Sequence, residues 1–314
     1  MELIRGLKGL DDRQRGSVVT IGTFDGMHVG HQALLTRLKE HGRRLSRPAM
    51  VLTFEPTPRE FLLAEGQAPA RLTSCRERWR VLERLGCDFL WLLRFGPQLR
   101  NLSGEAFAEL LANELRTPLV VVGHDFRFGR NGEATAALLT AAGRRLGFEV
   151  DIVPPVTIDG ERVSSSGVRN ALAKADFGQV RRWLGRPYSM TGRVVEGNRL
   201  GRSLGFPTAN LQIERRRPPV QGIFAVRVHG AADAPMPGVA SLGTRPTVDG
   251  EHALLLEAHV FDFSGDLYGR EIEVEFVAKL REEERFPSLD ALVAQMHEDA
   301  AQARQILAQQ NLNG

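Results

Sequence analysis

The chain has 314 residues, 42% apolar and 25% charged, which suits two globular domains with real cores and excludes fibrous or largely disordered architectures. The formal net charge is only +3, with 41 basic against 38 acidic residues, so no strong field marks a nucleic-acid or membrane surface. Two cysteines cannot build a disulfide framework, Met1-Glu2-Leu3-Ile4-Arg5 lacks an apolar signal core, and no apolar run reaches membrane-spanning length. The expectation is a cytoplasmic protein with Cys75 and Cys87 reduced, acting on small molecules and not on nucleic acid or membrane.

The first informative stretch begins with the β-branched run Val18-Val19-Thr20-Ile21. It enters the turn Gly22-Thr23-Phe24-Asp25-Gly26-Met27-His28-Val29-Gly30-His31 and leaves as an amphipathic helix from Gln32 to Glu40. Strand, turn and helix in that order put the turn at the carboxyl end of a buried parallel strand, where open α/β sheets bind ligands. Gly22, Gly26 and Gly30 let the backbone turn tightly and approach a ligand, and the first helical turn offers unpaired N–H groups suited to phosphate. With the helix starting near Met27, His28 and His31 fall on one face and can both bond a polyphosphate. The alternatives are structural or solvated histidines, or two of three metal ligands, although no third ligand sits at metal-site spacing. The glycines are spaced four apart, unlike G-x-G-x-x-G, and no Gly-Lys pair offers a P-loop.

Gly-Thr-Phe-Asp-Gly-x-His-x-Gly-His resembles the signature of the HIGH-type nucleotidyltransferases. Within them it is most similar to the adenylyltransferase half of the prokaryotic bifunctional riboflavin kinase/FMN adenylyltransferases, or FAD synthetases. The resemblance implies a Rossmann-like N-terminal domain in which His28 and His31 bind the ATP phosphates and stabilise the pentacovalent transition state. Gly22, Phe24, Asp25 and Gly30 would lie along the nucleotide.

The alternation continues with a strand at Met50–Phe54 and a helix to Leu85 opened by a Ser74/Glu77 capping box. A strand at Phe89–Leu93, a helix at Gly104–Leu115, a strand at Pro118–Gly123, a helix at Glu133–Leu146 and a strand at Phe148–Val153 follow, then a helical stretch from Val168 to Leu184. This spacing predicts right-handed βαβ units and a parallel sheet. Glu55-Pro56-Thr57-Pro58 reads either as a rigid turn or as a pocket wall, which would place Pro56 and Pro58 against a flavin. Gly123-His124-Asp125-Phe126-Arg127-Phe128-Gly129 sets a polar residue among aromatics and a guanidinium, suited to a flat ring but also compatible with core aromatics and a surface arginine. The resemblance carries Asp125 and Arg127 over to the nucleotide and flavin sites. Val163-Ser164-Ser165-Ser166-Gly167-Val168-Arg169 is either N-cap material or a second anion clamp. It resembles the family's Ile-Ser-Ser-Thr-x-x-Arg motif, which implies that Ser164, Ser165 and Arg169 hold ATP phosphates.

Beyond Gly185-Arg186-Pro187-Tyr188 the pattern changes to short runs at Met190–Val195, Phe206–Ile213, Ile223–His229, Gly238–Leu242, Leu254–Phe261 and Glu271–Phe276. A helix from about Ser288 to Leu307 follows. These predict a small closed antiparallel barrel with a closing helix, hence α/β plus all-β with a boundary between residues 185 and 186. Arg215-Arg216-Arg217 before two prolines reads as a solvated turn. Gly201 to Gly205 form a glycine loop ahead of Thr208 and Asn210, which on an extended strand face one side and can share a cation such as Mg²⁺, although the Thr-x-Asn pair alone reads equally as a β-turn with a barrel-facing threonine. Glu257 puts a carboxylate on an apolar strand, a costly choice unless it has a task or a partner.

Gly201 through Pro207-Thr208-Ala209-Asn210 resembles the riboflavin kinase Pro-Thr-Ala-Asn motif, and Glu257-Ala258-His259 its Glu-x-His segment. The resemblance implies Glu257 as general base, Thr208 and Asn210 on Mg²⁺-ATP, and Arg285 and Phe286 beside the flavin. Segments Gly243–Thr247 and Asp266–Gly269 match less informative parts of the family. The expectation is an enzyme with two active sites, a riboflavin kinase in 186–314 and an FMN adenylyltransferase in 1–185. Riboflavin and ATP are substrates, and FMN and FAD pass through as substrates and products, not as prosthetic groups. The assembly expected is a monomer or weak homo-oligomer.

Overall fold

The computed structural model describes residues 1–7, 9–64, 66–197, 201, 204–215, 217–246 and 252–312. Arg202 and Ser203 of the glycine loop, together with Arg216 and Thr247, lie outside the described residues. The chain divides into two compact units, Met1–Pro69 with Cys75–Ser165, and Ala70–Ser74 with Ser166–Gly314.

The first unit is built on a six-stranded sheet in the order β1-β4-β3-β2-β5-β8. Its strands are β1 (Glu2–Arg5), β2 (Val18–Ile21), β3 (Ala49–Glu55), β4 (Phe89–Arg94), β5 (Leu119–Gly123) and β8 (Glu149–Val153), with short strands β6 (Arg127–Phe128) and β7 (Ala134–Thr135) between the last two. Every neighbouring pair in the main sheet is parallel. Strands covered on both faces must be apolar on both, and they are: Val19, Met50, Trp91 and Val120 fill one core, Val18, Val51, Leu90 and Val121 the other. The chain lays β2, β3 and β4 to one side and then returns to place β5 and β8 on the other. The sheet therefore reverses between β2 and β5, and the loops after these two strands flank the crevice where such sheets take ligands.

Helix α1 (Val29–Leu45) follows β2, α2 (Pro58–Leu62) and α3 (Cys75–Arg84) lie between β3 and β4, and α4 (Pro97–Arg100) and α5 (Gly104–Leu110) precede β5. The predicted helix to Leu115 ends in a π-helical turn, Leu111–Leu115. Helix α6 (Ala136–Leu146) starts later than Glu133 because Thr135 caps it, its hydroxyl accepting from the Leu138 amide. Strand β1 escapes sequence reading because four residues at a sheet edge carry too little periodicity.

The second unit is a closed barrel of six antiparallel strands in the order β11-β12-β15-β14-β13-β16. They are β11 (Ser189–Val195), β12 (Ala209–Gln212), β13 (Gly222–His229), β14 (Met236–Pro246), β15 (His252–Val260) and β16 (Glu271–Arg281). The hairpin strands β9 (Thr157–Ile158) and β10 (Glu161–Arg162) precede the unit. Its last helix, α9 (Leu289–Leu312), packs Ala303 and Leu307 onto Ala225 and Val277 of the barrel wall.

The stretch read as one helix from Val168 to Leu184 is two, α7 (Ser165–Ala173) and α8 (Phe177–Leu184), broken where Ala175 takes a left-handed φ of 55° and Asp176 caps α8. Helix α8, ahead of the expected 185/186 boundary, belongs to the second compact unit, where its Phe177 ring lies 6.0 Å from Phe224 and 6.2 Å from Phe276 on the barrel. Arg215 is no solvated turn residue. It is 7% exposed and donates to the carbonyls of Arg71 and Leu72, while Tyr188 Oη also donates to Leu72 and Arg169 Nε to Ala70. Those bonds draw residues 70–74 into the second unit although they sit between α2 and α3 in sequence.

Candidate active sites

In the first unit the loop after β2 packs against itself. Phe24, Gly26 and Met27 take φ of 49°, 88° and 48°, and Phe24 and Met27 are 1% and 0% exposed. A Cβ at Gly22 would lie 3.2 Å from the Phe24 ring, and one at Gly30 would lie 3.1 Å from the His28 ring, so these glycines serve close packing. The helix begins at Val29, two residues after the expected start, and His28 is its N-cap. His28 Nδ1 accepts from the His31 amide at 3.3 Å, and the two rings stack at 3.6 Å and 15°. The histidines thus lie side by side through capping geometry instead of sharing a helical face. Phe24 meets His31 edge-on at 5.3 Å, and the Asp25 carbonyl accepts from Ser165 Oγ at 2.8 Å.

Burial pushes the His28 pKa down to about 4, with Arg162 lowering it further and Asp25 and Asp125 opposing. A neutral imidazole whose Nδ1 accepts a bond carries its proton on Nε2, so His28 presents one N–H donor. Asp125, exposed after β5, forms an ion pair with Arg162 on β10, and Arg127 is exposed on β6. Phe126 and Phe128 stack at 5.3 Å and pack against the core, as the blander reading of that loop has it. Thr57 caps α2 in a reciprocal box with Glu60, with Pro58 in its first turn and Pro56 half-buried beside it. Arg169 lies one turn into α7 and bonds Ala70. Among the described residues no group of three or more His, Cys, Asp or Glu could hold a metal ion.

In the second unit Asn210 and Ser241 lie directly opposite Glu257 on its two neighbouring strands, so the three side chains form one row. Alternation places that row outside the barrel, because Leu211, Leu256 and Leu242, which pair one residue along, are at most 1% exposed and fill the interior. A cavity of about 360 Å³ opens beside it, lined by Gly201, Phe206, Thr208 and Glu257, with Phe286 and Asp299 across. Arg281 grips Asp299 through three bonds of 2.8–3.1 Å, which hold its guanidinium more firmly charged, and lies 5.5 Å from the Phe286 ring centre. A Cβ at Gly201 would stand 2.3 Å from the Phe206 carbonyl oxygen, and one at Gly197 2.3 Å from Asn210 Nδ2. Gly205, at φ 83°, and Arg285 are exposed, and Arg285 is not among the lining residues.

The FAD synthetase family model matches residues 10–167 and the riboflavin kinase family model residues 184–307. The chain is 46% identical over 307 residues to the bifunctional riboflavin kinase/FMN adenylyltransferase of Escherichia coli (strain K12), covering 97% of each. The enzyme of the same name from Pseudomonas fluorescens is 46% identical over 309 residues, 98% of each. The chain belongs to the bifunctional riboflavin kinase/FMN adenylyltransferase family. A solved Streptococcus pneumoniae structure described as a macrolide-efflux protein shares the fold, with a TM-score of 0.79 and 32% identity over 95% of this chain and 97% of that one. Among the described residues no helix is long and apolar enough to cross a membrane.

Two side chains of this family member at the adenylyltransferase end had no legible signal. Arg162 reaches Asp125 from a two-residue strand, and Arg78 lies 1% exposed beneath the loop after β2, where its position in an arginine-rich helix marks nothing.

Proposed function

We propose that the second unit transfers the γ-phosphoryl of ATP to the 5′-hydroxyl of riboflavin, and that the first adenylylates the resulting FMN with a second ATP to give FAD and pyrophosphate. The observation that carries this reading is the convergence of Thr208 and Glu257 on one cavity, with Asn210 directly opposite Glu257. In the kinase step Glu257 accepts the riboflavin hydroxyl proton, the new O–P bond forms, and ADP leaves. Holding the groups in line supplies most of the catalysis, as phosphoryl transfer demands. The Thr208 hydroxyl and Asn210 carboxamide are neutral oxygen donors of the kind Mg²⁺ accepts when it arrives on nucleotide phosphates, and the absence of a side chain at Gly197 leaves Asn210 its room. Bound there, Mg²⁺ supplies charge neutralisation.

In the adenylyl step an FMN phosphate oxygen attacks the α-phosphorus of ATP and pyrophosphate departs, with no general base because the nucleophile is already an anion. His28 and His31 donate to phosphate oxygens as charge accumulates there, and Ser164, Ser165 and Arg169 hold the outer phosphates, with Asp125 and Arg127 at the base and flavin. Both reactions use free small molecules, and we assign the enzyme to the cytoplasm as a monomer or weak homo-oligomer. Chromatography of a reaction of the purified chain with riboflavin, ATP and Mg²⁺ tests it. FMN followed by FAD is expected, FMN alone would remove the adenylyltransferase, and no product would remove both activities.

A further inference from the structure

A buried guanidinium is costly unless its N–H groups are matched, and apolar packing usually serves stability better. Arg78 on α3 is 1% exposed. Its Nη1 donates to the Thr23 carbonyl at 2.7 Å and to Thr53 Oγ1 at 3.3 Å, and its Nη2 donates to Glu55 Oε2 at 2.6 Å. Its Nε has no hydrogen-bond partner among the described residues. The acceptors belong to two neighbouring strand ends. Thr23 lies in the loop after β2, immediately before the buried Phe24 that meets the His31 ring, while Thr53 and Glu55 end β3 just ahead of the Pro56–Pro58 turn. Thr53 Oγ1 also points at the Thr23 carbonyl, 3.4 Å away. One charge therefore braces two segments at the ligand-facing edge of the sheet.

We infer that Arg78 is a positioning residue for adenylyl transfer, fixing the spacing between the histidine-bearing loop after β2 and the Glu55–Pro58 turn. The inference rests on the adenylyltransferase reading given above. A lysine keeps the charge but not the planar fork, so it can satisfy one segment and must release the other. Since the histidines act on the transition state, the loss falls on kcat and not on ATP binding.

The test uses the full chain as wild type, Arg78→Lys, His28→Ala and the double variant, assayed for FAD formation from FMN and ATP. Arg78→Lys should lower kcat by at least about tenfold while the KM for ATP moves less than about threefold, because misplacement of a reacting geometry is expressed in the transition state. Riboflavin phosphorylation by the same preparation should not change. In the His28→Ala background the effect of Arg78→Lys should shrink, since the clamp positions the loop that carries His28. Fully additive losses, or a near wild-type kcat for Arg78→Lys, would overturn the inference.

A second readout needs no activity: the His28 imidazole titration, followed by NMR, should move upward in Arg78→Lys as the loop loosens and admits water. If the wild type makes no FAD, the functional reading fails and this titration still decides the clamp, an unmoved His28 overturning it. Should Arg78→Lys not fold, as judged by circular dichroism, Glu55→Gln at a half-buried carboxylate takes its place. The same kcat loss supports the clamp, and an unchanged kcat with an unmoved His28 overturns it.

Discussion

Lowering the pH should weaken the first unit through His28 by an amount its burial sets. The His28 pKa falls from 6.5 to about 4, desolvation being the largest cause. The folded state thus refuses a proton that the unfolded chain takes up, so stability is intact above pH 6.5, declines as pH falls toward 4, and levels off below. Comparing the two binding curves, the loss between pH 7.5 and 5.0 is about 2 kcal/mol, rising to about 3 kcal/mol when complete. The assay is urea unfolding of the chain and of His28→Gln at both pH values. Trp79 and Trp91 report on the first unit, in a Trp183→Phe background that silences the second. Glutamine also changes the N-cap of α1, but that cost does not depend on pH and cancels in the double difference. The wild type should lose about 2 kcal/mol more than the variant over this interval. A double difference below about 0.5 kcal/mol would refute the claim that His28 is held neutral by burial, and with it the assignment of its proton to Nε2.

The other expectations are local. Glu257→Gln keeps size and polarity but removes the base, so FMN formation should fall by roughly 10² to 10⁴ while FAD formation from supplied FMN continues. His31→Ala removes a donor aimed at growing charge and should lower adenylyl transfer on the order of 10² to 10³ with the kinase and the circular dichroism spectrum unchanged. Gly201→Ala places a Cβ against the Phe206 carbonyl, so the loop beside Thr208 must shift and kinase turnover should drop with adenylyl transfer spared, as paired assays would reveal. A fragment of residues 186–314 keeps the whole barrel with Thr208, Asn210 and Glu257 and should phosphorylate riboflavin. One beginning at 166 retains Phe177 over Phe224 and Phe276 and should be more stable by roughly 3 kcal/mol in thermal or urea unfolding.

The sequence alone determined the two folds and named candidates for the reacting groups. Parallel strands read as apolar runs because both faces are covered, barrel strands as short runs between Gly and Pro turns, and the glycine-histidine loop as a strand-to-helix turn. Each is a local pattern that survives in one dimension. Thr208 and Asn210 were nameable only through the resemblance of their whole stretch to the Pro-Thr-Ala-Asn motif, since their spacing alone singles out nothing. Glu257 was nameable through its Glu-x-His segment together with its being a charge out of place on an apolar strand. Tertiary structure decided what spacing cannot carry. It put Asn210 opposite Glu257 through a register between strands some fifty residues apart, and outside the barrel instead of within it. It made His28 the cap of α1 and stripped its charge by burial, where the helical pattern placed both histidines inside the helix. It buried Arg215 against two carbonyls from residues 71 and 72 and set Arg78 between two strand ends. Arginines in polar text look solvated, and only the fold determines which of them meets acceptors that water can no longer reach.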